Sequence, residues 1–197
     1  MVLNDKGKIM SILRIYTDGG CAGNQERTNL GGWGALLEFG EHKKELWGAE
    51  PNTTNNRMEL TAVIEAFKAL KKDGQTIEIF TDSSYVANCF REKWYESWEQ
   101  NNWKNAARKP VENQELWKEL LALVRKHNVK FYRVKGHVKL PKAAEGELPS
   151  SSTLDKLYAK FVEWNGAKFS YKDFIYITEM NNLVDGLANK GIDSIRE

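Results

Sequence analysis

The chain is poor in the features that usually announce a compartment or a partner. It has two cysteines in 197 residues, Cys21 and Cys89. Their spacing suits neither a disulfide pair nor a metal-ligand motif, which fits a reducing cytoplasm. No apolar run is long enough to span a bilayer, so no membrane partner is expected. Met1 to Lys8 is polar and of mixed charge, unlike a secretory signal, and residues 1–11 read as a short terminal extension. Net charge is nearly absent too: 29 Lys and Arg against 27 Asp and Glu leave +2. No global field therefore advertises a polyanionic partner.

What is present is ordinary in bulk and uneven in detail. A 41% hydrophobic, 28% charged chain of this length suits a single globular domain, expected over residues 12–194. Between Leu120 and Ala144, however, lie seven cations, from Arg125 to Lys142, and no acid. A cationic flank of that kind makes physical sense beside a site that handles phosphate.

Two strings echo each other. Ile15-Tyr16-Thr17-Asp18-Gly19-Gly20 and Ile79-Phe80-Thr81-Asp82-Ser83-Ser84 are both β-branched and aromatic runs that stop at an aspartate before small turn-forming residues. That is how a strand delivers a carboxylate to its end. Between them, Leu60, Val63, Ile64, Phe67 and Leu70 recur at helical spacing, predicting a helix over residues 56–73 with Gly74 as its stop and Glu59 at the margin of the apolar stripe. A strand–helix–strand passage implies a parallel crossover, so Asp18 and Asp82 are expected at the same sheet edge. Further strands are predicted over 33–39, 43–48 and 130–135, and helices over 83–90, 94–101 and 113–126. The fold class is α/β, with a central five-stranded mixed sheet flanked by helices. Asp18, Glu59, Asp82 and Asp185, with His137 after a strand-like run, form an oxygen-rich set suited to a hard divalent cation.

In this order the motifs resemble the type 1 ribonuclease H family, in its bacterial form. The residues that carry the likeness are Tyr16-Thr17-Asp18-Gly19 with Gly23-Asn24, Thr54-Asn55-Asn56-Arg57-Met58-Glu59, Thr81-Asp82-Ser83, Val134-Lys135-Gly136-His137 and Asp185-Gly186-Leu187-Ala188. The resemblance implies a ribonuclease H-like fold and hydrolysis of the RNA strand of RNA/DNA hybrids to 5′-phosphate and 3′-hydroxyl ends. It implies two Mg²⁺ ions, with Mn²⁺ as substitute. Asp18 would bridge the two ions, Glu59 and Asp82 would support one, and Asp185 the other. His137 would assist proton transfer or product release, since imidazole titrates near neutrality. Asn24, Thr54, Asn55, Ser84 and Asn181 would contact substrate, as would Trp94 and Lys104 on a tryptophan-rich protrusion, where most tryptophans are expected to face the core. A cytoplasmic monomer is expected. A non-enzymatic hybrid-binding module would be expected to lack a carboxylate, and all four are present. A free-standing start methionine argues against a polymerase fragment.

One stretch departs from the family pattern. Residues 139–180 form an insertion between His137 and Asp185, leaving Asp155, Asp173 and Glu179 as rivals for the last carboxylate position. Residues 139–152 read as a mobile loop. A helix follows with Ser152 and Asp155 at capping-box positions, and Phe169, Tyr171, Phe174 and Tyr176 suggest a short strand or packed loop. With the motifs outside it, the insertion is expected to form a substrate-proximal lobe that a short Gly/Ser linker could replace without loss of the fold.

Overall fold

The apolar run Leu13–Ala22 forms β1, the middle strand of the sheet in a computed structural model that describes residues 12–22 and 29–196. Strands β2 (Leu30–Phe39) and β3 (His42–Pro51) make an antiparallel hairpin beside it. Gly40 turns the hairpin at φ +60, in the left-handed region that glycine enters without steric penalty. Helix α1 (Asn55–Lys68) crosses to β4 (Thr76–Thr81), which runs parallel to β1. After α2 (Ser84–Arg91), α3 (Trp94–Gln100) and α4 (Gln114–Val124), strand β5 (Asn128–Arg133) runs parallel to β4. Helices α5 (Ser152–Asn165) and α6 (Tyr171–Ser194) follow. The strand order is β3-β2-β1-β4-β5, the mixed sheet expected from the sequence.

Alternation along the strands divides the core in two. Leu13, Ile15, Ile77, Ile79 and Phe131 face α1, α2 and α4, where the fully buried Trp117 anchors Trp98 and Trp103. Tyr16, Phe80 and Tyr132 point to the opposite face. They stack across three adjacent strands with ring centroids 5.2 and 5.3 Å apart. Aromatic contacts of this kind contribute beyond simple area burial.

That second face is covered by the insertion. Phe169 meets Phe80 and Tyr132 edge-on at 5.6 and 5.0 Å, and Phe161 packs behind it at 5.5 Å. Leu154, Phe161, Phe169 and Phe174 are all buried. Glu78 is also buried on this face. It pairs with Arg14 at 3.3 Å and with Lys168 in the α5–α6 connection, which offsets the desolvation of its carboxylate. Residues 139–180 are thus one wall of the main core, contrary to the separable lobe expected from motif positions alone.

Several element boundaries also differ from expectation. β1 continues past Asp18 to Ala22, because β2 keeps pairing with it there. α1 ends at Lys68 with Ala69 as its cap, so Gly74 is not the helix stop. Gly74 instead turns at φ +73, and its N–H donates to Lys126 O at 2.8 Å. The cap of α5 is Ser151, one residue earlier than expected, and the capping box sits at Ser170 and Asp173. Phe174 and Tyr176 are therefore helical, in the first turns of α6. Their apparent alternation hides the helical recurrence of buried Phe174, Ile177, Asn181 and Val184.

Two consequences can be measured. Phe169→Ala should destabilise the protein by about 3–5 kcal/mol, the range for truncating a buried aromatic, read by urea denaturation. Replacing residues 139–170 with a short Gly/Ser linker should abolish cooperative unfolding, because it bares Phe80 and Tyr132. A sharp, wild-type-like transition in that variant would mean the wall is dispensable.

Candidate active site

The last paired residues of β1 and β4 are Thr17 and Thr81. Asp18 and Asp82 follow them directly, so parallel register alone puts two carboxylates side by side. Glu59 arrives from α1, whose backbone at Met58 and Glu59 lies against Gly19. A Cβ on Gly19 would overlap that backbone, so only glycine allows the helix this close. The three acids bring ligand oxygens within 4.8 Å of one another.

The fourth acid comes from α6. Gly32 and Gly34 of β2 leave no room for a Cβ against the carbonyls of Ala188 and Val184, and Gly191 approaches the Gly48 carbonyl in the same way. The helix lies directly on the sheet and carries Asp185 to the rim of the acid cluster. His137, at φ +54, places Nδ1 3.7 Å from Asp185 Oδ1. Two contacts hold its loop: Gly136 packs against the Asp82 carboxylate too closely for any side chain, and Asn182 Nδ2 donates to Val138 O at 2.9 Å. Asp18, Glu59, Asp82, His137 and Asp185 thus line one open cavity of about 370 Å³. The rivals fall elsewhere: Asp155 and Glu179 are exposed, and Asp173 closes the capping box of α6.

A model of the RNase H family matches residues 10–146. The chain belongs to the ribonuclease H family. A ribonuclease H of Chlorobium luteolum is 54% identical over 125 residues, 64% of this chain and 83% of that one. One of Syntrophomonas wolfei is 52% identical over 128 residues, 65% of this chain and 86% of that one. Among solved structures, LC9-RNase H1, a type 1 RNase H with the type 2 active-site motif, superposes with a TM-score of 0.59 at 34% identity, covering 66% of each chain. LC11-RNase H1, solved with an RNA/DNA hybrid, shares the fold with a TM-score of 0.55 at 17% identity, covering 92% of this chain and 97% of that one. The family match ends before α6, so the place of Asp185 rests on the geometry above.

Electrostatics in this ribonuclease H site favour a bound cation. Burial pushes the Asp18 carboxyl up to about 8, reinforced by the neighbouring Asp82 and Asp185. Burial also pushes Glu59 well above the carboxylate range, with Asp18 and Asp82 adding to it. Asp82 is raised by burial as well, although Asn181, Asp18 and His137 pull it back. Glu59 Oε2 is buried with no hydrogen-bond donor. Such an orphaned carboxyl oxygen among other acids fits a hard divalent cation, which would supply the missing positive charge.

The expected substrate contacts divide. Asn55 lines the cavity, and its Oδ1 accepts from Cys21 N at 2.7 Å. Thr54 is exposed and caps α1, its Oγ1 accepting from Arg57 N at 3.2 Å. Ser84 is exposed at the start of α2. Trp94 and Lys104 line a separate cavity of about 600 Å³ along α3 and the loop after it, away from the acids. Asn24 lies outside the described residues. Asn181 is 1% exposed and lies near Asp82, with neither of its side-chain polar atoms hydrogen-bonded, so it is buried beneath the site instead of on its surface. Two participants escaped the sequence reading: Asn182 and Asn189. Asn189 lines the cavity, with its Nδ2 donating to Asp185 O at 3.0 Å. Its signal is simple, since it sits one helical turn after Asp185.

Carboxyls whose pKa is raised on folding stabilise the fold at low pH and lose that contribution as pH rises through the folded value. The metal-free protein should therefore lose thermal stability between about pH 4, where free carboxyls titrate, and the Asp18 value of about 8. Mg²⁺ should restore more stability at pH 8 than at pH 5. Asp18→Asn should raise the metal-free melting temperature at pH 8 and shrink the Mg²⁺ increment. Calorimetry with and without Mg²⁺ checks both; a flat metal-free profile would contradict the burial argument.

Proposed function

We propose that Asp18, Glu59, Asp82 and Asp185, with His137 at the rim, form the hydrolytic centre of a ribonuclease H acting on the RNA strand of RNA/DNA hybrids. The observation that carries the reading is the convergence of these five side chains on one cavity. Asp18, Glu59 and Asp82 would hold the cations, with Asp185 contributing from the rim of the same cavity. Two Mg²⁺ ions, or Mn²⁺ in their place, supply a water activated for in-line attack and charge neutralisation at the leaving 3′ oxygen.

The remaining work falls to the chain itself. His137 is largely exposed beside Asp185, where an imidazole can pass a proton between the reaction site and solvent. Gly136 and Asn182 keep its loop in place. RNA is told from DNA by its 2′-hydroxyls, which short polar side chains and backbone amides can meet in a minor groove. Asn24, Thr54, Asn55 and Ser84 are assigned that task. Trp94 and Lys104 follow the backbone further along, where aromatic and cationic groups suit a phosphate chain. A cytoplasmic monomer remains the reading, and the two free thiols suit a reducing compartment. Among the described residues, no helix is long and apolar enough to cross a membrane.

Asp82→Asn should abolish cleavage of a labelled hybrid while leaving its affinity nearly unchanged, since the change removes a metal ligand and no phosphate contact. Near-normal turnover at saturating Mg²⁺ would refute the site. His137→Ala should slow turnover by up to the 10² to 10⁴ typical of a general acid or base. Duplex DNA should not be cut under conditions that consume the hybrid.

A further inference from the structure

The sheet has one edge that the catalytic site does not use. β5 is the outer strand, and its hydrogen bonds to β4 come from alternate residues: Asn128 N donates to Gln75 O and Val134 N to Thr81 O. In a parallel ladder this fixes the parity, so the main-chain groups of residues 129, 131 and 133 point away from the sheet. At Arg133 the side chain of Asn165 fills the place of a neighbouring strand. Its Oδ1 accepts from Arg133 N at 3.0 Å, and its Nδ2 donates to Arg133 O at 2.8 Å. The outward groups of Val129 and Phe131 have no such partner among the described residues.

A groove of about 330 Å³ runs along this open stretch. Phe90, Tyr95 and Phe131 give it an aromatic wall, and Arg91, Lys93 and Lys130 give it cations, of which Lys93 is paired with Glu96 at 3.5 Å. Lys130 makes no ion pair among the described residues. Arg91 donates to the Trp164 carbonyl rather than to a carboxylate.

We propose that this edge is a docking site for an extended peptide segment of a partner protein, one that alternates apolar and acidic residues and adds a sixth strand beside β5. Three features define the occupant. Paired donors and acceptors at Val129 and Phe131 match a polypeptide backbone, as the Asn165 amide already does one position along. The aromatic wall takes side chains from one face of the added strand, and strand alternation sends the others toward Lys130, which points to the face opposite Phe131. A nucleic acid would use the cations but not the main-chain array. The proposal is independent of the catalytic reading, because none of these residues lines the acid cluster.

The test uses the whole protein and a fluorescein-labelled peptide, EFDIEFD, followed by anisotropy. Saturable binding is expected. It should weaken about tenfold or more when the edge-facing peptide amides are N-methylated, given roughly 1 kcal/mol per hydrogen bond. The charge-reversed peptide KFKIKFK should not bind, and Lys130→Glu should weaken EFDIEFD. Val129→Pro removes one outward N–H without touching the ladder to β4, so it should lower peptide affinity while hybrid cleavage is unchanged. If that variant fails to fold, the N-methylated peptide on the unmodified protein decides alone. Absent binding, equal binding of the N-methylated or charge-reversed peptide, or displacement by an RNA/DNA hybrid would overturn the proposal, the last by making the groove a nucleic-acid surface.

Discussion

Everything at the active-site end depends on one close approach: α6 resting on the glycines of β2. Gly32 and Gly34 carry no side chains where the helix crosses, and Gly191 of the helix comes against the Gly48 carbonyl of β3. Backbone lies on backbone, so the helix has no layer of side chains on which to slide. Asp185 then inherits a fixed position relative to Asp18, which pairs directly with Gly34. One turn earlier Asn182 ties down the histidine loop. From the opposite face Gly19 grants α1 the same intimacy, and Glu59 follows. Two helices on two faces are thereby held at sub-side-chain separation from one sheet, and their acids meet at its rim.

Such a site works against the fold. Carboxylates gathered in a partly buried cleft repel one another, and Glu59 has an oxygen with no donor at all. The opposing stability lies behind the site, in the aromatic stack of Tyr16, Phe80 and Tyr132 and in the insertion that seals it. The buried Glu78, held between Arg14 and Lys168, links that seal to the two central strands. The segment that departs from the family pattern therefore serves the catalytic end indirectly, by holding the start of α6.

Much of this was legible in the sequence because it is local. The paired Thr-Asp strings, the helical stripe behind Glu59 and the crossover between them require only periodicity and handedness. Asp185 was recoverable from its short motif even across the insertion. What escaped is what one strand of text does not carry. Gly32 and Gly34 carry no sign in the sequence of the helix carbonyls that press on them. Asn181, expected among the substrate contacts, is buried. Phe174 and Tyr176 imitate strand alternation within a helix. The insertion was misjudged for a related reason, since motif positions locate chemistry but say nothing about which face of the sheet lacks a cover.

β1 keeps β2 as a neighbour through Ala22 but loses β4 after Thr17. The sheet therefore has a step in it, and the acids stand at the foot of that step. Along the tread, residues 18 to 22 are half-dressed strand: hydrogen-bonded on one flank, with no strand partner on the other. A sheet normally hides its amides by finishing its rows. Here side chains finish the row instead: Asp18 Oδ1 accepts from Gly19 N at 2.9 Å and Asn55 Oδ1 from Cys21 N at 2.7 Å, so two residues that line the cavity also cap the amides the missing strand would have taken.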